Sequence, residues 1–257
     1  MSDQFKALLV TRKNGVVEHQ ISQLSTDDLP EGDVLVAVKY SSLNYKDCLA
    51  VAGRGNIVRR YPMVPGVDLT GEVLSSDSPD YQPGDKVLLT GWGVGERYWG
   101  GFTQQARLKS EWLVPLPKEL DALKAMAIGS AGLTAMLCVM ALEDQGVTPE
   151  QGTVLVTGAS GGVGGIAVAL LAGLGFSVAA VTGNRVHDDY LYQLGATDIV
   201  SRAELETPCR PLEKQRWSGG VDTVGGKVLA RLLADMQYGG TVAATGLTGG
   251  AELNTTV

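Results

Sequence analysis

The sequence predicts an α/β protein in two parts: a β-rich first half, then a doubly wound parallel sheet with helices on both faces. Three observations carry this. Short apolar runs separated by Gly, Pro and Asp turns fill the chain as far as Pro117. Ala- and Leu-rich helical stretches come next, and beyond residue 150 strand and helix patterns alternate. The alternation opens with Val154-Leu-Val-Thr157-Gly158-Ala-Ser-Gly161-Gly162-Val-Gly164-Gly165, an apolar strand that runs through a glycine-rich turn into a helix. Such alternation needs crossover connections and hence a parallel sheet. Crowded short strands suit a barrel-like or sandwich domain.

Taken in order, residues 5–10 read as an apolar strand, and the turn Pro30-Glu-Gly32-Asp33 leads into a β-branched run at 34–38. A strand at 67–74 is broken by Gly71. Pro83-Gly84-Asp85 turns into a strand at 86–90. Strands at 102–108 and 112–114 end the series, after a Gly-rich loop over 92–101. Helices are expected at 120–130 and 133–142. The second half then reads as strand 154–157, helix 162–174, strand 178–182, a short helix at 188–194, a weak strand at 198–200 and a strand at 221–223. Helix 227–236 places Val228, Leu229, Leu232, Leu233 and Met236 on one face. A strand at 241–245 is the last. The expected domains are 1–120 and 121–257.

The chain has 257 residues, 44% of them hydrophobic and 19% charged, enough to bury a full core in one large domain or two medium ones. A formal net charge of −7 argues against non-specific nucleic-acid binding. Cys48, Cys138 and Cys209 are far apart and form no C-x-x-C pair, which fits a reducing compartment. The N-terminus lacks a signal-peptide pattern, and no apolar run is read as long enough to span a bilayer. A cytoplasmic protein without nucleic-acid or membrane partners is expected.

The glycine run points backbone N–H groups and a helix N-terminus at one spot, an arrangement that suits the pyrophosphate of a dinucleotide. Ala159, Gly161 and Gly164 occupy the positions of an A-x-G-x-x-G fingerprint. Ser160, Gly161, Gly162, Val163 and Gly164 are thus candidate cofactor contacts. The same run also fits the T-G-x-x-x-G-x-G of short-chain dehydrogenases. Those need a downstream Y-x-x-x-K, and here Tyr190, Tyr192 and Tyr238 meet Leu194, Ala196 and Val242 instead. At the end of the next strand, Thr182-Gly183-Asn184-Arg185 offers no carboxylate for a ribose hydroxyl, and Arg185 can pair with a 2′-phosphate. NADPH is the expected cofactor. Asp188 and Asp189 would supply the acid if the strand ended later.

Three further segments stand at family-like spacing: Ser41-Ser-Leu-Asn44-Tyr45-Lys46-Asp47, Pro62-Met-Val-Pro65-Gly66-Val67-Asp68-Leu-Thr-Gly71-Glu72-Val73 and Ile128-Gly-Ser-Ala131-Gly132-Leu133-Thr134-Ala135. With the glycine run they resemble the medium-chain dehydrogenase/reductase superfamily, in its zinc-free quinone-oxidoreductase-like branch. The Asn44–Asp47 segment and Gly91-Trp92-Gly93-Val94-Gly95-Glu96-Arg97-Tyr98-Trp99-Gly100-Gly101 look like its acrylyl-CoA reductase subgroup. The resemblance implies a GroES-like β domain followed by a Rossmann-type domain. Where zinc-dependent members carry ligands, this chain has Asn44-Tyr45-Lys46 and Gly66-Val67-Asp68. His19 and His187 lack ligand-like spacing, so no metal is expected.

The resemblance further implies NADPH-dependent reduction of an α,β-unsaturated acyl thioester, with a quinone or enone reductase as the nearest alternative. A cofactor-binding protein without turnover is a third reading. Asn44, Tyr45 and Asp68 are the implied catalytic residues, Tyr45 first for hydrogen bonding or proton donation, while Asp47 orients their loop. Arg54, Arg59, Arg60 and Arg97 are candidates for the phosphates of an acyl-CoA, with Arg97 foremost and Arg59 next. Asn44, Thr134, Gly246 and Leu247 join the expected cofactor contacts. Family members are longer, so the resemblance implies a sheet without its sixth strand, a chain poorly active alone, and a homodimer only if the chain were complete.

Overall fold

The computed structural model describes residues 4–208 and 214–255. Cys209 lies outside them. Two compact units emerge, one ending at Ser130 and the other beginning at Ala131.

The first unit opens with a hairpin of β1 (Gln4–Lys13) and β2 (Val16–Ser25). Asn14 and Gly15 both have positive φ, 50° and 82°, the backbone of a tight two-residue hairpin turn. The sequence reading stops the first strand at residue 10 and has no second. Most of β2 is exposed, so it lacks an alternating apolar face, and only the Asn-Gly pair announces it. There follow β3 (Val34–Tyr40), α1 (Tyr45–Val51), β4 (Asp68–Ser76), β5 (Lys86–Thr90), β6 (Gln105–Leu108) and β7 (Val114–Pro115). An antiparallel sheet of order β6-β3-β4-β5-β7 results, packed around Val34, Val36, Leu69, Val73, Val87 and Leu89. Gly71 does not break β4. A Cβ there would press on the Ala37 carbonyl and lie 2.7 Å from Val36, so the glycine is what lets β3 and β4 approach.

Helix α2 (Ala122–Asp144) is bent at Gly129, whose φ and ψ of 48° and −158° are not helical. Two helical pieces are therefore present, but the break falls at Gly129, inside the first expected helix, rather than at 131–132. This apolar stretch is longer than the sequence reading allowed, with a hydropathy of 1.9, but the break leaves neither piece at the roughly 20 residues that a bilayer span needs.

In the second unit β8 (Thr153–Val156), α3 (Gly162–Gly173), β9 (Ser177–Thr182), α4 (Asp188–Gln193), β10 (Asp198–Ser201), α5 (Arg202–Leu205), β11 (Trp217–Asp222), α6 (Gly226–Ala234) and β12 (Met236–Ala244) follow in order. The sheet is parallel throughout, in the order β10-β9-β8-β11-β12. Alternate residues of β8 face opposite layers: Val154 and Val156 pack with Val168 and Leu171, whereas Leu155 packs with Val181 and Leu232. This is the doubly wound arrangement expected. Strand β11 starts four residues before the predicted 221. Gly219 and Gly220 hide it from pattern reading, yet a side chain on Gly220 would lie 2.9 Å from Leu232, so α6 packs where side chains would stand. Likewise β12 begins at Met236 rather than 241, and α5 is not anticipated. Strand order reverses between β8 and β11, and their carboxyl ends form the crevice where open α/β sheets bind ligands.

Candidate active site

At that crevice the chain leaves β8 through buried Thr157 and turns at Gly158, φ 58°. Ala159 N–H donates to Val181 O (3.0 Å) and Gly161 N–H to Gly158 O (2.9 Å), which fixes the loop between two strands. Gly164 is buried against it: a Cβ would press on the Gly158 carbonyl and stand 2.8 Å from Ala159 Cα. Ser160, Gly161 and Gly162 are exposed and Val163 is half-buried. Gly161 caps α3 without a side-chain hydrogen bond. The first-turn N–H groups of a helix have no carbonyl partner of their own, so this cradle, open and lined by backbone, fits a pyrophosphate.

Asp222, at the end of β11 and fully buried, ties the crevice together. Its carboxylate accepts from Thr157 Oγ1 (2.6 Å) and from Gly225 N–H (2.7 Å). Thr157 Oγ1 in turn accepts from Thr223 N–H (3.0 Å), and Thr223 Oγ1 donates to Thr157 O (2.8 Å). Thr245 and Gly246 N–H both donate to Asp222 O, which tethers half-buried Gly246 and exposed Leu247 beside this network. Sequence reading missed Asp222. The signal was an acid at a strand end, three residues before a Gly-Gly helix start. A Cβ on Gly162 would lie 3.3 Å from the Ala131 side chain, in the same helix as Thr134, which is half-buried one turn further on.

The tip of β9 is free of carboxylates, as expected. Thr182 is buried, and its hydroxyl brackets Asn184 N–H and O, both at 3.2 Å. Gly183, Asn184 and Arg185 are exposed. Of the two alternative acids, Asp189 is exposed and Asp188 pairs with Arg185, which donates to its Oδ2 from Nε (3.0 Å) and Nη2 (2.9 Å).

In the first unit Asp68 begins β4 and is completely buried. It accepts from Ser42 Oγ, Asn44 Nδ2 (3.0 Å), Ser130 N–H (2.9 Å) and Ser130 Oγ (2.5 Å). Three of these donors converge on Oδ2 and one on Oδ1, so Asp68 holds Ser42, Asn44 and Ser130 in place. Gly129 belongs to the same construction, since a Cβ there would be 2.9 Å from Asp68 Oδ2. Asn44 also donates to Ser42 Oγ (2.9 Å) and stands before α1, a helix absent from the sequence reading.

Asp47, in the first turn of α1, accepts from Asn44 N–H (2.9 Å) and from Gly66 and Val67 N–H (both 3.1 Å). It orients the loop, as expected. Burial pushes its carboxyl up, against those N–H donors. Tyr45 projects from the same turn and is 61% exposed, with its hydroxyl available.

Lys46 pairs with Glu96 at 2.7 Å, and Arg59 N–H donates to Glu96 O, which brings the Trp92–Gly101 loop to the start of α1. Arg97 is exposed on a cavity of about 480 Å³ lined also by Trp92, Glu96, Lys109 and Trp112. Arg59 is exposed outside that lining. Among the described residues no three His, Cys, Asp or Glu side chains are grouped to hold a metal ion.

Residues 30–118 match the alcohol dehydrogenase GroES-like domain family. The acrylyl-CoA reductase AcuI of Ruegeria pomeroyi is 57% identical over 98% of this chain and 78% of its own length. The yhdH oxidoreductase of Salmonella enterica, solved in complex with NADP, is 55% identical and superposes with a TM-score of 0.94 over 98% of this chain and 77% of that one. The Bacillus subtilis protein yhfP, a putative quinone oxidoreductase solved with NAD bound, is 49% identical, with a TM-score of 0.94 over 99% of this chain and 78% of that one. The fold of both sheets is thus shared along nearly the whole chain, which belongs to the acrylyl-CoA reductase group of the medium-chain dehydrogenase/reductase superfamily.

Proposed function

We propose that the chain reduces the C=C bond of an α,β-unsaturated acyl thioester, acrylyl-CoA to propionyl-CoA, with NADPH. The observation that carries this is the 57% identity to an acrylyl-CoA reductase along 98% of the chain. On this reading its partners are small molecules in the cytoplasm, not nucleic acid or a membrane.

NADPH supplies a hydride to the β-carbon of the substrate. The first-turn N–H groups of α3, from Gly162 to Gly164, would hold its pyrophosphate, with Gly161, Ser160, Thr134, Thr182 to Arg185, Gly246 and Leu247 bordering it. The π bond is replaced by two C–H bonds, so a proton must reach the α-carbon while the thioester oxygen carries the developing charge. The exposed Tyr45 hydroxyl hydrogen-bonds that oxygen or delivers the proton, directly or through a water. Asn44, pinned by Asp68, orients the reacting groups. Asp68 is a positioning residue that acts through Asn44 and Ser130. Arg97 offers an unshared guanidinium beside the Trp92 and Trp112 rings for the CoA phosphates, and Arg59 adds charge nearby.

A panel of acrylyl-CoA, crotonyl-CoA and 1,4-benzoquinone with NADPH and NADH tests this. Acrylyl-CoA with NADPH should turn over fastest, and Tyr45→Phe should lower kcat by about 10²-fold or more. The quinone reading, favoured by the 49% identity to yhfP, wins if benzoquinone is reduced and acrylyl-CoA is not. NADPH binding with no turnover on any of the three would leave a binding protein.

A further inference from the structure

Strand β5 ends at Thr90, and the next three residues, Gly91, Trp92 and Gly93, all have left-handed φ: 81°, 54° and 77°. Glycine adopts that backbone freely, but a bulky aromatic residue there is strained. The loop fixes it nonetheless. Val94 is fully buried in the core of the antiparallel sheet, and Gly93 O accepts from the N–H groups of Glu96, Arg97 and Tyr98. The Trp92 side chain is 58% exposed, so its own burial offsets little of the strain. Strain of this kind collects at ligand clamps. Trp92 stands at the cavity of about 480 Å³, a size that suits a small molecule. Tyr98 and Trp112 line it with ring centroids 4.7 Å apart, and Lys109 Nζ lies 5.4 Å from the Trp112 ring. Its charged groups are Arg97, Lys109, Glu96 and Glu111. Glu96 is neutralised by Lys46 at 2.7 Å, while Glu111 is 3.9 Å from Lys109 in a loose, exposed pair. Arg97 enters no ion pair among the described residues.

We infer that Trp92 is the residue that selects coenzyme A thioesters over thioesters without a nucleotide, its indole stacking on the adenine while Arg97 and Lys109 take the phosphates. The inference rests on the acyl-CoA reading above and adds to it the residue that recognises the base. An exposed indole beside unspent cations suits a phosphorylated base, because every base has a π face and every phosphate a charge. A pantetheine arm or a quinone has neither. The left-handed backbone sets the indole at the cavity before the substrate arrives, so less ordering is left for binding. The Lys46–Glu96 pair ties this loop to the start of α1, where Tyr45 is the residue before Lys46. The nucleotide end and the reacting end of one substrate are thereby held by the same unit.

Calorimetric titration of the full chain with coenzyme A and with pantetheine, in saturating NADPH, provides the test, using Trp92→Gly and Trp92→Tyr. Trp92→Gly removes the ring and the backbone strain together. It should weaken coenzyme A binding by about tenfold to a hundredfold, with pantetheine binding changed by less than about threefold. Its Tm should be unchanged or raised, because glycine suits φ 54°. Trp92→Tyr keeps a stacking ring and should stay within about fivefold of the wild type for coenzyme A. Turnover of acrylyl-CoA with NADPH is measured alongside. Trp92→Gly with wild-type affinity for coenzyme A overturns the inference, and so does a lowered Tm with coenzyme A and pantetheine weakened alike. A wild-type chain that binds coenzyme A no better than pantetheine also overturns it. In each case acrylyl-CoA turnover by the wild type leaves the proposed function standing. A wild-type chain that binds no coenzyme A and reduces only benzoquinone overturns both.

Discussion

Replacing Gly164 by alanine probes the cradle at its tightest point. A Cβ there would lie 2.8 Å from both Ala159 Cα and the Gly158 carbonyl carbon, and closer still to the Gly158 oxygen. All are backbone atoms, so no side-chain rotation relieves the clash. Ordinary contact begins at 3.4 Å, and the loop and first turn of α3 must separate by roughly half to one ångström, with an overpacking cost of about 1–3 kcal/mol. For a chain of this size that lowers Tm by about 2–10 °C. The same displacement moves N–H donors off the pyrophosphate. A donor to a charged group contributes about 1.5–3 kcal/mol, so losing one weakens NADPH by about tenfold to a hundredfold. Gly173, in the last turn of the same helix, has open space where a Cβ would stand, with nothing within 4 Å, and no left-handed φ. Gly173→Ala should therefore stabilise the chain by up to about 1 kcal/mol and leave NADPH binding alone. Alanine raises helix propensity at both sites, so opposite signs isolate the close approach. Thermal unfolding and fluorescence titration read both quantities. Gly164→Ala with unchanged Tm and an NADPH Kd within about threefold of the wild type would refute the reasoning.

Three further outcomes are expected. Asp222→Ala strands the Thr157 hydroxyl and the Gly225 N–H in the crevice and should cost about 2–4 kcal/mol in urea unfolding; an unchanged midpoint would count against the network. Asp68→Ala releases Asn44 and Ser130 and should lower kcat by tenfold or more, by order of magnitude, while the NADPH Kd stays put; equal changes in both would mean general damage. For Asp47, burial raises the folded carboxyl above its ordinary 3.8, so its stabilising contribution is full below that pH and is lost as pH rises through the folded value. The stability of wild type minus Asp47→Asn should therefore fall with rising pH across that window, and a flat or rising difference would disprove the burial effect.

What could be read from the sequence divides by the range of the interactions involved. The strand, glycine turn and helix of 154–165 are legible because every signal is local: β-branched residues, glycines and a helical apolar stripe follow one another. The existence of a break in α2 is legible from its glycines, but its place at Gly129 is set by Asp68, 61 residues earlier in the chain, and not by local pattern. Strand β2 is not, because its residues are mostly exposed and only its turn carries a pattern. Residues 217–220 of β11 are not, because glycine is disfavoured in strands and only the neighbours, Val154 and Leu232, explain it. The Arg202 guanidinium, which fills the space where a Cβ on Gly183 would stand, is invisible for a different reason. Its place beside Gly183 is set by the register of β10 on β9, and no spacing in one dimension encodes which residue follows the adjacent strand.

Acidic residues near a candidate site invite an acid–base reading, and here the geometry argues against it for three of them. Asp47, Asp68 and Asp222 are each almost wholly buried. Each accepts from a backbone N–H near a strand end or a helix start, together with further N–H or hydroxyl donors. A buried carboxylate without such donors would be expensive, and with them it becomes a rigid fastener for loops that have no regular structure of their own. The loops at Asn44–Tyr45 and Thr157–Gly164 need that stiffness, since misplacing a reacting group by about an ångström costs orders of magnitude in rate. The proposed function draws instead on groups with unspent hydrogen-bonding capacity: the Tyr45 hydroxyl, the first-turn N–H groups of α3 and the guanidinium of Arg97. Removing a fastener should cost stability as well as the function of the loop it holds, whereas removing one of these groups should abolish one step and spare the fold.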